Sequence, residues 1–207
     1  MRKPKAQIIN LGLNNIFSIE KAIQKSGFIT NVMNIREVKK NNNSNDILIL
    51  PGVGNFHSVM KNLTKYGVDE VIKKHAIIKK KPILGICLGM QLLFDESDET
   101  IKTVGLSILE GKVKSFPKKI RPNIGWCSTA NIVKNSLITK KEFFYFVHSN
   151  YCTPRDENYI LTKSYNQNFQ FCSSILKENI VAVQFHPEKS GKFGLNILKN
   201  IKKKFFK

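Results

Sequence analysis

The sequence predicts an α/β fold, with a mostly parallel sheet flanked by helices and extended by antiparallel strands. Short apolar runs alternate with amphipathic helical segments through the first half of the chain, which is typical of parallel sheets with helices on their faces. In the second half the apolar runs are shorter and turn residues separate them, which favours hairpins. The length of 207 residues suits one domain, and we expect a single domain over residues 1–207.

Four strands and three helices are predicted in the first half. The strands lie at residues 6–11, 28–33, 46–50 and 82–86, and the helices at residues 16–23, 56–66 and 68–80. Asn14 or Asn15 can cap the first helix, because asparagine is a preferred N-cap residue, and Gly27 can end it. The polar segment 39–45 is predicted to be a loop between the second and third strands.

The second half is predicted to extend this sheet. Hairpins are expected between about residues 103 and 185, and residues 180–185 (IVAVQF) are predicted to be a strand. A closing helix is predicted at residues 190–204, because Phe193, Ile197 and Ile201 fall on one helical face.

The chain carries a net charge of +19, which raises nucleic acid as a possible partner. Only four of its 34 basic residues are arginine, however, and base readout and bidentate phosphate contacts favour arginine over lysine. We therefore expect solvated surface lysines and no nucleic-acid partner. A non-catalytic basic module that binds nucleic acid or acidic surfaces is the alternative.

The sequence predicts neither a membrane segment nor a metal site. No apolar run approaches the roughly 18–20 residues that span a bilayer, and the basic N-terminus lacks the apolar segment of a signal peptide. We expect a cytoplasmic protein with no membrane partner, whose thiols stay reduced. Its four cysteines form no Cys-x-x-Cys pair and no Cys/His cluster with zinc spacing, so we expect no metal and no other cofactor.

Cys87 lies where a predicted strand turns into a helix. Residues 85–89 read GICLG, and the flanking glycines allow a tight, strained turn that holds the central side chain at the carboxyl end of the strand. A helix beginning at Leu88 directs its N-terminus at the sulfur, which favours the thiolate. Cys87 is therefore a candidate nucleophile, and a buried small side chain is the alternative.

A second strand end supplies a candidate base. The strand at residues 180–185 is followed by His186, Pro187 and Glu188, and proline favours extended geometry in the residue before it. Residues i and i+2 of an extended chain project to the same side, so we expect Glu188 to orient His186. A strand-end histidine beside a surface glutamate is the alternative, although a thiolate nucleophile needs such a base.

A third strand end, PGVG at residues 51–54, offers an oxyanion site. The glycines beside Val53 let the backbone approach a ligand or flip a peptide. An N–H of Gly52 or Val53 could therefore stabilise an oxyanion together with that of Leu88. The segment lacks the lysine of a phosphate loop and the spacing of a dinucleotide motif, and an ordinary turn is the alternative.

Four segments together resemble the class I glutamine amidotransferases, the family with a catalytic triad. They are PGVG at residues 51–54, GICLGMQLLF at 85–94, YFVHS at 145–149 and QFHPEKS at 184–190. Within this class they are most similar to the glutaminase subunits of imidazole glycerol phosphate synthase, and the similarity is collinear from about residue 8 to residue 201. The resemblance implies the class I glutamine amidotransferase fold and hydrolysis of L-glutamine to glutamate and ammonia.

The resemblance also implies roles for individual residues. Cys87 would attack the side-chain amide of glutamine, His186 would carry a proton to the departing ammonia, and Glu188 would orient His186. The backbone N–H groups of the oxyanion hole would come from Gly52, Val53 and Leu88. The substrate would be bound by Gln91, His148, Ser149 and Asn150, and a partner by Trp126, Tyr145 and Lys189. Trp126 could equally be a core residue.

The glutaminase pattern occupies the chain and leaves no acceptor-binding domain, so we expect another chain to use the ammonia. The resemblance implies a (β/α)8-barrel cyclase as the heterodimer partner, which makes imidazole glycerol phosphate and aminoimidazole carboxamide ribotide in histidine biosynthesis. It also implies weak activity of the isolated chain and stimulation by the partner.

Some loops depart from the usual pattern of the family. Residues 10–15 read NLGLNN where DYGxGN is usual, residues 122–127 read PNIGWC where PHMGWN is usual, and Asn150 stands where tyrosine is common. These departures keep open a paralogous subunit that supplies ammonia for amidation of a bacterial surface-glycan sugar. A cysteine hydrolase acting on another amide has less support, because Gln91 and residues 147–150 resemble a glutamine pocket.

Overall fold

Five parallel strands form the centre of the molecule in the computed structural model, which describes residues 2–12, 15–40, 45–99, 101–133, 137–138 and 141–206. They are β1 (Lys5–Asn10), β2 (Ile29–Asn34), β3 (Ile47–Leu50), β4 (Ile83–Ile86) and β13 (Ile180–Val183), in the spatial order β2-β1-β3-β4-β13. Every residue of β3, β4 and β13 is buried, as expected for parallel strands covered on both faces.

Antiparallel strands extend this centre. Beyond β13 the sheet continues with β12 (Phe169–Lys177), β11 (Ile160–Asn166), β8 (Asn123–Asn131) and β9 (Glu142–His148). A second sheet has the order β10-β7-β5-β6 and contains β5 (Phe94–Ser97), β6 (Thr103–Val104), β7 (Leu109–Ser115) and β10 (Asn150–Pro154). The predicted α/β fold is confirmed, and the separate second sheet adds to it.

Helices cover both faces of the large sheet. They are α1 (Ile16–Lys25), α2 (Phe56–Lys65), α3 (Val68–Lys73), α4 (Leu88–Leu92) and α5 (Gly191–Phe205). On one face, the apolar stripes of α1 and α5, including Ile23 and Ile201, share a core with Ile49. On the other face, α2 and α3 and the second sheet share a core with Leu48 and Leu50.

Several element boundaries differ from the sequence prediction. The helix expected at residues 68–80 ends as an α-helix at Lys73 and continues as a π-helical turn over Lys74–Ile78. The strand expected at residues 180–185 ends at Val183. Asn15 precedes α1 but makes no side-chain capping bond. Asn14, the other predicted cap, and residues 41–44 of the predicted loop lie outside the described residues.

No helix in the part of the chain that the structure describes is both long enough and apolar enough to cross a membrane.

Candidate active site

The three strand ends singled out in the sequence meet at one edge of the large sheet. β3, β4 and β13 are adjacent and parallel, with Leu50 paired to Gly85 and Val183 paired to Ile86. The segments that follow these strands therefore lie together at their carboxyl ends, where α/β sheets place their ligands.

Cys87 sits in a strained turn between β4 and α4. Its φ of 54° and ψ of −110° are rarely adopted by residues other than glycine. The adjacent glycines permit close packing: a Cβ atom on Gly89 would lie 1.8 Å from the carbonyl oxygen of Leu50, and one on Gly85 would lie 2.8 Å from that of Gly89. The tight turn predicted around Cys87 is present, although α4 is only five residues long.

The Cys87 side chain borders a cavity of about 260 Å³. This volume lies just below the range of roughly 300–1,000 Å³ that is typical of ligand pockets, so the cavity suits a small ligand. The cavity is lined by Val53, Gly54, Cys87, Leu88, Gln91, Glu99, Pro122, Val147, His148, Ser149 and Asn150. All four predicted substrate-binding residues are therefore at the cavity, together with the predicted nucleophile.

His186 and Glu188 form a hydrogen bond, as predicted, but the backbone geometry that brings them together differs from the prediction. His186 Nδ1 lies 2.7 Å from Glu188 Oε1, and both side chains are 1% exposed. His186 has extended backbone geometry, as predicted, but Glu188 lies in a 3-10 turn over Pro187–Lys189. The turn, rather than the alternation of an extended strand, brings the carboxylate back to the imidazole.

The surroundings of His186 favour its protonated form. Burial by itself would lower the pKa of His186, but the nearby Cys87 sulfur and the Glu188 carboxylate outweigh burial and raise the pKa to about 10. His186 Nε2 is buried and has no hydrogen-bond partner among the described residues. This nitrogen is therefore available to exchange a proton with the sulfur or with a bound molecule.

The oxyanion hole predicted from Gly52, Val53 and Leu88 is not formed. The N–H of Leu88 donates a hydrogen bond of 3.3 Å to the carbonyl oxygen of Gly52. The peptide between Gly52 and Val53 thus directs its oxygen to the position where an N–H was expected. It must rotate before Val53 N–H and Leu88 N–H can bind one oxyanion.

Gln91 joins a chain of hydrogen bonds along the cavity wall. Its Nε2 donates to the carbonyl oxygen of Asn150 and to Gln184 Oε1, each at 3.1 Å. Asn150 Nδ2 donates to Glu99 Oε1 at 3.0 Å, and Glu99 Oε2 accepts from the backbone N–H of Phe56 at 2.6 Å. Strand β10, helix α4 and the start of α2 are thereby linked around the cavity.

His148 lines the cavity with both ring nitrogens already bonded. Its Nδ1 lies 2.7 Å from the carbonyl oxygen of Asn150, and its Nε2 lies 2.9 Å from Asn123 Nδ2. Burial lowers the pKa of His148 to about 4, against the opposing effect of the Asn150 carbonyl. Since an amide NH₂ and a carbonyl leave only one consistent tautomer, His148 is neutral with its proton on Nδ1.

Two departures from the family pattern bear on this wall. Asn123, in place of the usual histidine, bonds His148, and Asn150, in place of a common tyrosine, bonds Glu99. Ser149, the remaining predicted substrate residue, lines the cavity, and its carbonyl oxygen accepts from the N–H of Phe116.

The three predicted partner-contact residues are adjacent on the surface. The rings of Trp126 and Tyr145 are 6.0 Å apart on paired strands β8 and β9, and Lys189 Nζ lies 5.6 Å from the Tyr145 ring centre. Trp126 is 55% exposed, so it is not a core residue. Ile124 and Phe143, also exposed, lie on the same face of the two strands, which forms an apolar patch.

Several side chains that contact the site have no functional role predicted from the sequence. Asn15 Nδ2 donates to Glu188 Oε1 at 2.6 Å, Gln184 Nε2 lies 3.6 Å from Cys87 Sγ, and Glu99 lines the cavity. Gln184 carried a usable signal, because an amide directly after a fully apolar strand is unusual. Glu99 carried none, since it is one of four acidic residues in the polar segment DESDE at residues 95–99, outside every motif.

No group of three or more histidine, cysteine or acidic side chains in the described ranges is arranged to hold a metal ion.

A family model described as glutamine amidotransferase class-I matches residues 7–204. The chain belongs to the class I glutamine amidotransferase family, as the four motifs predicted. Its relatives include the imidazole glycerol phosphate synthase subunit HisH of Aquifex aeolicus, which is 43% identical over 95% of both chains. HisH of Pyrococcus furiosus is 40% identical over 95% of this chain and 97% of the relative. HisH of Caldanaerobacter subterraneus is 42% identical over 93% of this chain and 95% of the relative.

Solved structures of lower sequence identity have the same fold. PurLQS from Thermotoga maritima superposes with a TM-score of 0.77 at 17% identity, over 98% of this chain and 99% of that chain. A glutamine amidotransferase from the same organism gives a TM-score of 0.65 at 16% identity, over 99% of this chain and 84% of that chain.

Proposed function

We propose that this enzyme is the glutaminase subunit of an imidazole glycerol phosphate synthase, and that Cys87, His186 and Glu188 are its catalytic triad. The observation that carries the proposal is the placement of these residues. A strained cysteine borders a cavity of amino-acid size, and a buried imidazole beside the cysteine is held by a carboxylate. We further propose that residues 1–207 act as one glutaminase domain in the cytoplasm, without a cofactor.

In the first half of the reaction, the Cys87 thiolate attacks the side-chain amide carbon of L-glutamine. A carbon–sulfur bond forms, and the carbonyl electrons move to oxygen as a tetrahedral oxyanion. Protonated His186 then gives its Nε2 proton to the amide nitrogen, the carbon–nitrogen bond breaks, and ammonia leaves. Glu188 keeps the proton on Nδ1 and stabilises the imidazolium.

In the second half, water hydrolyses the thioester. Neutral His186 takes a proton from the water, and the resulting hydroxide adds to the thioester carbon. Collapse of this second oxyanion breaks the carbon–sulfur bond and releases glutamate. The sulfur leaves as a thiolate beside the reprotonated His186, so the starting state is restored.

We propose that Glu99 and Gln91 bind the α-ammonium group of the substrate. A carboxylate offers about four acceptor positions, and Glu99 uses three of them for Asn55, Phe56 and Asn150. Gln91, whose Oε1 makes no hydrogen bond with any described residue, lines the cavity. The remaining acceptor position of the Glu99 carboxylate and Gln91 Oε1 are the acceptors that a substrate ammonium would meet. Ser149, which directly follows β9, would also bind the substrate.

The blocked oxyanion hole supports regulation by a partner. While the Gly52 carbonyl occupies the N–H of Leu88, the tetrahedral intermediate lacks its donors, and losing one such donor costs about 10²–10³-fold in kcat. We expect weak glutaminase activity from the isolated chain. A partner that rotates the peptide between Gly52 and Val53 should raise kcat by about 10²-fold.

We propose that this partner is a (β/α)8-barrel cyclase that docks on the apolar patch around Trp126 and Tyr145, with Lys189 at its edge. Exposed aromatic side chains are typical anchors of protein interfaces. The patch continues along β9 to Val147, which lines the cavity. Ammonia released at Cys87 would therefore be close to the docked chain.

The triad is tested by Cys87→Ala, with Cys172→Ala as the matched control because Cys172 is also buried and unpaired. Glutamate release should be abolished in the first variant and retained in the second. Glutamine hydrolysis by Cys87→Ala at the rate of the unaltered enzyme would refute the proposed nucleophile.

The partner is tested by measuring glutamine hydrolysis with and without a candidate barrel cyclase. Equal rates would contradict the coupled-subunit proposal. Growth without histidine of an auxotroph that expresses this chain together with the cyclase would support a role in histidine biosynthesis. Failure to grow, combined with stimulation by a sugar-amidating enzyme, would instead support a surface-glycan pathway.

A further inference from the structure

Gln184 places an amide against the sulfur of the proposed nucleophile. It directly follows β13, is 0% exposed, and has its Nε2 3.6 Å from Cys87 Sγ. Its Oε1 accepts a hydrogen bond of 3.1 Å from Gln91 Nε2. A buried amide needs hydrogen-bond partners, and at this position one of them is Cys87.

The hydrogen-bond network fixes which end of the Gln184 amide faces the sulfur. The carbonyl oxygen of Asn150 can only accept, so the Gln91 atom beside it is the donor Nε2. The same Nε2 contacts Gln184, whose contacting atom must therefore be the acceptor Oε1. The NH₂ group of Gln184 is left facing Cys87, and rotating the amide by half a turn would break the bond with Gln91.

A backbone carbonyl contacts the sulfur in addition to Gln184. The carbonyl oxygen of Val147 lies 3.8 Å from Cys87 Sγ and can accept a hydrogen bond from a thiol, whereas it repels a thiolate. A donated N–H does the opposite, because it stabilises the negative sulfur. Of these two contacts, only Gln184 favours the reactive form.

We propose that Gln184 is a positioning residue that donates a hydrogen bond to the Cys87 thiolate and holds it beside His186 and the substrate cavity. The inference rests on the proposed glutaminase function, because the thiolate is the nucleophile of that reaction. Gln184 also fixes Gln91 through its carbonyl oxygen, so one buried amide orients both the sulfur and a proposed substrate-binding side chain.

Other titratable groups lie near the sulfur and must stay unchanged in a test. Among the described residues, His186 and Cys152 are close enough to interact with Cys87, Glu188 is bonded to His186, and His148 and Glu99 line the same cavity. None of them is altered by a substitution of Gln184. A change in the pH dependence of Cys87 can therefore be assigned to the lost amide, provided that the fold is retained.

The first test replaces Gln184 with methionine, which has a similar length and no donor. The rate of Cys87 alkylation by iodoacetamide is measured against pH by mass spectrometry of the Cys87 peptide. The other three thiols react slowly because burial raises the pKa of Cys127, Cys152 and Cys172. We expect the pH midpoint of alkylation in Gln184→Met to rise by about one unit, the equivalent of a tenfold change in equilibrium.

Gln7→Met is the matched control, because Gln7 is likewise a buried glutamine of the large sheet, and its Nε2 lies 3.2 Å from Met33 Sδ. It should leave the alkylation midpoint unchanged. In glutaminase assays with the cyclase partner, Gln184→Met should lower kcat about tenfold, as expected for a lost hydrogen bond to a charged group, and Gln7→Met should not.

Gln184→Leu provides a second measurement if the methionine variant does not fold. It also removes the donor and adds no charge, so the alkylation midpoint should again rise by about one unit. An unchanged midpoint in a folded Gln184 variant would overturn the proposal. Alkylation does not depend on turnover: absence of glutamine hydrolysis in the unaltered enzyme would contradict the proposed function alone, while the midpoint would still decide the role of Gln184.

Discussion

Glu188 Oε1 accepts two short hydrogen bonds at once, from His186 Nδ1 at 2.7 Å and from Asn15 Nδ2 at 2.6 Å. The carboxylate that orients the imidazole is thus itself oriented by a residue 173 positions away in the sequence. Because a base must be held within a fraction of an ångström of its working position, Asn15 belongs to the functional unit although it touches neither the sulfur nor the cavity.

Replacing Asn15 with alanine should lower kcat about tenfold and leave KM unchanged, since the substitution loosens Glu188 without altering the substrate cavity. The free energy of unfolding should fall by about 1.5–3 kcal/mol, because the substitution removes a hydrogen bond to the Glu188 carboxylate, and no capping bond is lost in addition. Steady-state kinetics with the partner present, together with urea unfolding, measure both quantities. Asn158→Ala, at an exposed asparagine, is the control, and a kcat equal to that of this control would contradict the role of Asn15.

Glu99→Gln should raise KM for glutamine about tenfold or more and change kcat much less. The variant keeps an oxygen that can accept from Phe56 but removes the negative charge that would bind an ammonium group. Glu110→Gln, which removes an exposed carboxylate paired with Arg155, serves as the control. If both variants have the KM of the unaltered enzyme, Glu99 does not bind the substrate ammonium.

At the scale of elements, the site depends on two short backbone turns that the hydrophobic periodicity of the sequence does not reveal. One is the turn at Cys87, where α4 packs so closely on the end of β3 that Gly89 has no room for a side chain. The other is the 3-10 turn over Pro187–Lys189, which brings Glu188 to His186. Glu188 reaches His186 because Pro187 begins this turn, and not because the chain continues as an extended strand.

Gly89→Ala should destabilise the fold by about 3 kcal/mol or more, because its Cβ atom would meet the Leu50 carbonyl oxygen at 1.8 Å. Gly191→Ala is the matched control: its Cβ atom would have open space, and only the positive φ of 56° opposes the substitution. It should cost about 1 kcal/mol. Urea unfolding of both variants measures the difference, and equal losses would refute the steric explanation.

At the scale of the whole molecule, the site lies where three units of structure meet. The parallel strands provide Cys87 and His186, the second sheet provides Asn150 and the adjacent Glu99, and β9 provides the wall at Val147. The apolar patch lies on the same side of the sheet extension as this wall. A different feature, the buried His75, lies at the other edge of the large sheet, where β4 begins. Its Nε2 lies 3.0 Å from the Pro82 carbonyl oxygen.

The protein should lose stability as the pH falls from about 6.5 to 4, and His75 should account for part of the loss. Burial, and to a lesser extent Lys81 and Lys79, lowers the pKa of His75 to about 4, although the Pro82 carbonyl opposes the shift. The unfolded chain binds a proton near pH 6.5, so over this range it holds more protons than the folded chain. Acid therefore favours unfolding.

His75→Gln should reduce the slope of the unfolding free energy against pH by up to about 1.4 kcal/mol per pH unit between pH 4 and 6.5. Urea titrations at several pH values measure the slope. Ile77→Gln, at an exposed position in the same π-helical turn, should leave the slope unchanged. The same slope in both variants would show that His75 does not drive the acid sensitivity.

The sequence by itself determined the α/β class, the family and the three strand ends at which the chemistry is placed. Continuous apolar runs identify buried parallel strands, and the carboxyl ends of neighbouring parallel strands necessarily share one edge. The residues that follow these strands, including Cys87 and His186, could therefore be brought together without any coordinates.

Only the tertiary structure decided how these groups are supported and whether the site is assembled. Gln184 meets Gln91 across 93 positions, and Asn15 meets Glu188 across 173. Such contacts arise from packing between elements and leave no periodic signal in the chain. The orientation of the peptide between Gly52 and Val53 was equally hidden, because glycine permits both orientations and the hydrogen bond between Gly52 and Leu88 selects one of them.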